Sequence, residues 1–180
     1  MGLGDVAPPS QLLQIRSGDA GVTDTLKIMA QLARQYKVNP LLRQTAARAV
    51  INCPPKDDLC EAATLQDFVR SNIRYTGDVF ETETVQTPDY TLQEGYGDCD
   101  DQSVLLATLL MAIGIPAAYC AVGINGENFS HVLTFGIIRQ GSQVSQVALE
   151  TTLSEDPQTG APVGPGWFPQ NVTSMRFFHI

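Results

Sequence analysis

Cys99 stands among three aspartates in the segment "GYGDCDDQSVLLATLL", residues 95–110, where a run of leucines begins. A thiolate is the competent sulfur nucleophile, and a helix start favours it through free amides and the helix dipole. Asp98, Asp100 and Asp101 act in the opposite direction, because nearby negative charge holds the proton on sulfur. A histidine that takes this proton and stays paired with the thiolate resolves the conflict. The chain has two histidines. His179 is the penultimate residue, where chain ends tend to fray, whereas His131 opens the apolar segment "SHVLTFGIIR". A base needs an acceptor for its second ring nitrogen. Glu150, closing the apolar run in "SQVALETTL", supplies a candidate. Each residue alone has an ordinary structural role as well. Their order, a nucleophile on a helix and then base and acid on successive strands, points to covalent catalysis.

These three groups converge only if the right elements hold them. Leu26, Met29, Leu32, Ala33 and Tyr36 recur at helical spacing and predict a helix from Thr23 to Tyr36. Asn39 followed by Pro40 reads as cap and first turn of a second helix, running to about Ile51. "CPPKDD" breaks it, and Asp57 or Asp58 starts a third helix striped by Leu65, Phe68 and Val69. Residues 76–94, polar and containing Pro88, read as a loop. Asp98 is the expected cap of the cysteine helix, with Asp101 completing a capping box, and "GIP" at 114–116 ends it. Four β-rich segments follow: "AAYCAVGI", "SHVLTFGIIR", "SQVALETTL" and "SMRFFHI". Helices first and a mostly antiparallel sheet after them make an α+β layout. The whole chain, 1–180, reads as a single domain with residues 1–20 as an N-terminal arm over the surface.

The segment "YGDCDDQSVLLATLLMAIGIPAAY" resembles the nucleophile helix of the transglutaminase-like superfamily of papain-type cysteine enzymes. In that family G-x-C leads a leucine-rich helix that ends in G-I-P-A-R. "FVRSNIRYTGD" at 68–78 is similar to the helix ahead of the catalytic segment. "TPDYTL", "GDCDD" and "FSHV", in this order, resemble phage-associated members over roughly residues 23–153. The resemblance implies a papain/transglutaminase-like fold with Cys99 as nucleophile, His131 as base and Glu150 where aspartate is usual. It also implies thiolate attack on an amide or ester carbonyl and a thioester intermediate. Water as acceptor would make a peptidase or amidohydrolase, and an amine an acyltransferase. The Cys99 amide would help stabilise the oxyanion. A second donor is expected from a side chain ahead of the helix, with Gln86 and Gln93 both candidates; Asp98 and Asp100 are candidates for substrate contact. Besides Glu150, the usual arginines near the helix end are replaced, by Met111 and Ala118. The implied partner is a protein, peptide or peptidoglycan-like amide. A non-catalytic structural or assembly module of a phage particle, contacting other phage structural proteins, is the alternative.

Composition narrows the rest. Of the 180 residues 43% are apolar and 17% charged, which suits a globular chain. The net charge of −8, with basic residues scattered, argues against nucleic acid or an anionic membrane as partner. No apolar run approaches the roughly 20 residues of a membrane span, and "MGLGDVAPPS" carries no secretion signal. A cytoplasmic or virion-associated location is therefore expected. The aspartates of "DCDD" crowd a helix start rather than space out as calcium ligands do, and zinc would need more Cys or His; no metal or cofactor is expected. Cys53, Cys60, Cys99 and Cys120 contain no C-x-x-C pair. Without a signal peptide, Cys53 and Cys60 are expected to be free thiols at loop and helix ends. Cys120, in an apolar strand, is expected to serve as a small hydrophobe.

Overall fold

The computed structural model describes residues 10–12, 19–76 and 84–180. Three helices come first: α1 (Asp19–Tyr36), α2 (Pro40–Ala49) and α3 (Asp58–Asn72). The Asn39 side chain accepts from the Leu41 and Leu42 amides at 2.9 and 3.5 Å, so Pro40 sits where its missing N–H costs nothing. Asp57 does the same for α3, accepting from Cys60 N at 3.0 Å. The helical stripes read from the sequence are the buried ones: Leu26, Met29, Leu32 and Ala33 on α1, Leu65 and Val69 on α3.

Cys53 and Cys60 are joined by a disulfide, with their Cα atoms 5.8 Å apart. The expectation of two free thiols is corrected. The reason is local. The loop turns back through an Asp57 N–H to Pro54 O bond of 3.2 Å and a left-handed Lys56, at φ 65°. This carries the first turn of α3 beside the residues that follow α2.

The segment 76–94 is not one loop. Past residues 77–83, which lie outside the described residues, it holds a strand β3 (Thr84–Gln86) and a helix α4 (Pro88–Glu94). Pro88 occupies the first turn of α4, and Gly95 stops it in the left-handed conformation, φ 72°. A first-turn proline starts a helix rather than breaking one, so "TPDYTLQEG" carries its own start and stop. Part of the expected N-terminal arm is strand β1 (Ser10–Leu12), antiparallel to β3, while its last two residues begin α1. The rest of the arm lies outside the described residues. A second small pair, β2 (Arg74–Tyr75) with β4 (Tyr96–Gly97), is parallel and leads directly into α5 (Cys99–Ala112).

The four C-terminal strands are β5 (Ala117–Ile124), β6 (His131–Gln140), β7 (Gln143–Leu149) and β8 (Val172–His179). They form one antiparallel sheet in the order β7-β6-β5-β8. The α+β layout is as the sequence predicts. One face, with Tyr119, Ala121, Val132 and Ile138, shares a core with the helices. The other carries Cys120, Val122 and Leu133 under Phe135, Phe168 and Phe177. β5 is covered on both faces, which explains its unbroken apolar run. At the centre lies α5, whose residues Asp101 to Leu110 are all buried.

Candidate active site

The start of α5 is fixed by carboxylates. The Asp98 side chain accepts from Asp101 N at 2.9 Å, and Asp101 accepts in return from Asp98 N at 3.3 Å, a complete capping box. The other Asp101 oxygen accepts from Gln86 N at 2.7 Å, tying β3 to the same turn. Gly97 makes this possible: a Cβ there would stand 2.6 Å from the Asp101 Cβ. The sequence expectation of an Asp98 cap with Asp101 as its partner holds in full.

Cys99, the first residue of α5, is partly exposed, and its thiol donates to Asp100 Oδ1 at 3.6 Å. Burial of the sulfur pushes the thiol pKa well above its ordinary value, the charges of Asp100 and Asp98 add to this, and the Val132 backbone N–H opposes it. The sulfur shares its cleft with His131 and Val132, the first two residues of β6. Two further bonds hold α5 against the same strand: Ser103 Oγ to Val132 O at 3.3 Å and Thr134 Oγ1 to Ser103 O at 3.1 Å.

His131 opens β6, opposite Val122 of β5. Its Nε2 lies 2.7 Å from Glu150 Oε2, which leaves Nδ1 as the nitrogen available to another partner. Glu150 follows the last residue of β7 and is 1% exposed. Its Oε1 accepts from both the N–H and the hydroxyl of Thr152, at 2.5 and 2.7 Å. Its main-chain carbonyl accepts from Gln66 Nε2 at 2.8 Å and Arg70 Nη2 at 2.7 Å, both on α3. Burial pushes the carboxyl pKa up, but the His131 and Thr152 hydrogen bonds outweigh it, and the value lies below the ordinary range.

Cys99 and His131 face a common cleft of about 230 Å³, together with Asp98, Asp100, Met29 and Phe129. Glu150 lies behind His131, outside the lining. Neither Gln86 nor Gln93 lines this cleft. The Gln86 side-chain oxygen accepts from Thr91 at 3.3 Å, and Gln93 is exposed on α4. His179 is paired with Ala118 within β8 rather than frayed, and its ring packs on Phe177 away from the cleft. Sequence reasoning missed Thr152, Gln66 and Arg70. Thr152 had a local signal, a hydroxyl residue two positions after the acid; the α3 pair had none, since their contacts exist only after folding. Among the described residues, no group of three or more His, Cys, Asp or Glu side chains converges as metal ligands would, and no helix is long and apolar enough to cross a membrane.

A cysteine-led central helix packed on an antiparallel sheet, with a histidine on one strand and an acid after the next, defines the papain-like class of α+β fold. The Transglutaminase-like superfamily core matches residues 44–153, more than half of the sequence, and the chain belongs to that superfamily. Among solved structures, a candidate cysteine protease from Cytophaga hutchinsonii is similar in fold, with TM-score 0.53 and 19% identity, covering 88% of this chain and 54% of that one. A candidate protease from Parabacteroides distasonis matches at TM-score 0.48 and 16% identity, over 63% of this chain and 25% of that one. Calcium-bound LapG from Legionella pneumophila matches at TM-score 0.47 and 16% identity, over 72% and 74%. The chain thus spans about a quarter of the Parabacteroides protein and about half of the Cytophaga protein. No curated protein matches the sequence.

Proposed function

We propose that the chain is a cysteine enzyme that cleaves or transfers acyl groups of amide bonds, with Cys99 as nucleophile, His131 as base and Glu150 as its orienting acid. The observation that carries this reading is a histidine held by a buried carboxylate at the edge of the cleft that the thiol also lines. His131 is bound through Nε2 to a buried carboxylate, and it shares a cleft with the only free cysteine at a helix start among the described residues. A purely structural role does not call for that combination. The thiol proton passes to His131 Nδ1, and sulfur attacks the carbonyl carbon. The tetrahedral oxyanion gains the Cys99 amide as donor. His131 returns the proton to the leaving amine as the thioester forms, and water or a second amine then releases the acyl group. Asp98 and Asp100, which line the cleft, are the proposed substrate contacts; Gln86 and Gln93, the candidates for second oxyanion donor, are not among its lining residues.

A protein, peptide or peptidoglycan-like amide is the proposed substrate class. The resemblance of "TPDYTL", "GDCDD" and "FSHV" to segments of phage-associated members supports a phage-associated member, with other phage structural proteins as partners. The Cys53–Cys60 bridge favours surroundings more oxidising than a reducing cytosol. The test is a screen of peptidoglycan fragments, unfolded protein and amine donors, with Cys99→Ala as control. Turnover that survives Cys99→Ala would overturn Cys99 as the nucleophile, whereas absence of turnover together with a Cys99 that alkylates no faster than a small-molecule thiol would transfer the chain to the structural-module reading.

A further inference from the structure

We infer that Thr152 is a positioning residue: its backbone N–H and hydroxyl together fix the Glu150 carboxylate so that Oε2 points at His131. The inference rests on the triad reading above. A glutamate reaches one methylene further than the aspartate usual at this position, and it has one more rotatable bond to immobilise. Left alone, such a carboxylate would sample orientations that miss the imidazole. Thr152 removes that freedom by placing two donors on Oε1, the oxygen that His131 does not use. Gln66 and Arg70 of α3 hold the Glu150 carbonyl, so main chain and side chain are fixed by different elements.

The charged and titratable groups around the carboxylate are few. His131 faces it from β6. Arg70 approaches from α3 but spends its Nη1 and Nη2 groups on the Val163 and Glu150 carbonyls. Cys99, Asp98 and Asp100 of α5 line the cleft that His131 also lines. Removing the hydroxyl therefore acts on one relationship, the carboxylate–imidazole pair, and weakens its hold on the imidazolium that forms when the thiol gives up its proton.

The experiment compares Thr152→Val, which keeps the shape and the N–H, with Thr152→Ser, which keeps the hydroxyl; Thr152→Ala serves if valine disturbs folding. Two quantities are read: the rate of Cys99 alkylation by iodoacetamide across pH, and the His131 imidazole titration by NMR in a Cys99→Ala background. Thr152→Val should lower the His131 midpoint and slow alkylation at neutral pH on the order of tenfold or more, the loss of one hydrogen bond to a charged group. Thr152→Ser should restore both. A lower melting temperature with an unchanged His131 titration would overturn the inference, since a merely structural threonine gives that result. His131→Ala separates the two levels: if it slows alkylation while Thr152→Val does not, the triad stands and the Thr152 role falls. If His131→Ala leaves the rate unchanged, the triad reading itself falls.

Discussion

His131 Nε2 and Glu150 Oε2 lie 2.7 Å apart, and the carboxylate is 1% exposed. A carboxylate so dehydrated needs every oxygen satisfied, and the two Thr152 bonds complete that requirement. The pair thus holds the imidazole in one orientation at the mouth of β6, with Nδ1 turned to whatever lies on the other side.

The first prediction concerns the thiols. With the Cys99 pKa pushed up by burial and by Asp100 and Asp98, the sulfur should react at neutral pH only while His131 can take its proton. His131→Ala should slow alkylation roughly 100-fold or more, and Glu150→Gln should slow it less, through orientation. Cys120, buried in the sheet and raised by burial to about 11, should stay unlabelled in the folded protein. Mass spectrometry after a short pulse reads all of this at once, and labelling at Cys120 before Cys99 would contradict it.

The second prediction links Glu150 to acid stability. Its folded pKa is depressed below the ordinary 4.5: burial raises it, and the His131 and Thr152 bonds lower it by more. A depressed carboxyl stabilises the fold fully above its unfolded value and loses that contribution as pH falls through the folded value. Wild-type protein should lose stability more steeply than Glu150→Gln below about pH 4.5. Equal slopes of melting temperature against pH in that window would remove the claim.

The third prediction concerns the disulfide. Replacing Cys53 and Cys60 together by serine opens a short loop and should cost about 2 kcal/mol by the chain-entropy account. The Cys99 alkylation rate should change little, because the loop lies at the N-terminal end of α3, ahead of Gln66 and Arg70. Denaturant melts of oxidised, reduced and double-serine protein provide the measurement. A double-serine variant as stable as the oxidised form would show that the bridge contributes nothing.

Much of this arrangement is legible in the sequence, and the exceptions have physical reasons. Caps and stripes are local, so Asn39, Asp57 and the Asp98–Asp101 box are readable from neighbours alone. Strand segments are readable too, because β5 and β6 carry near-continuous apolar runs. The convergence of Glu150 with His131 is inferable only in outline, since it depends on how the chain turns after Leu149 leaves its pairing with Thr134. The α3 donors to Glu150 are invisible in sequence; Gln66 and Arg70 look like ordinary polar residues of an amphipathic helix until the sheet is folded against them. The polarity of residues 76–94 hides the short helix α4, although Pro88 after Thr87 and ahead of Gly95 marks a start and a stop. The disulfide escaped because cellular context argued against it while geometry, unreadable from spacing alone, favoured it.

The last prediction tests why glycine precedes the cap of the cysteine helix. A Cβ at position 97 would fall 2.6 Å from the Asp101 Cβ and 3.0 Å from its Oδ2. Asp101 cannot yield easily, because it is buried and its two oxygens accept from Gln86 N and Asp98 N. Gly97→Ala must therefore push the first turn of α5 away from β4 or break the capping box. A lost cap costs about 1 kcal/mol, and overpacking a tight site adds roughly 1–3 kcal/mol. Because Cys99 is the first residue of the displaced turn, the alkylation rate should change along with stability. Gly164→Ala is the control: a Cβ there meets nothing within 4 Å, so both quantities should match wild type. Urea melts and iodoacetamide kinetics on the two variants suffice. If Gly97→Ala proved as stable and as reactive as Gly164→Ala, the close approach of Gly97 to Asp101 would not be what fixes the start of the helix.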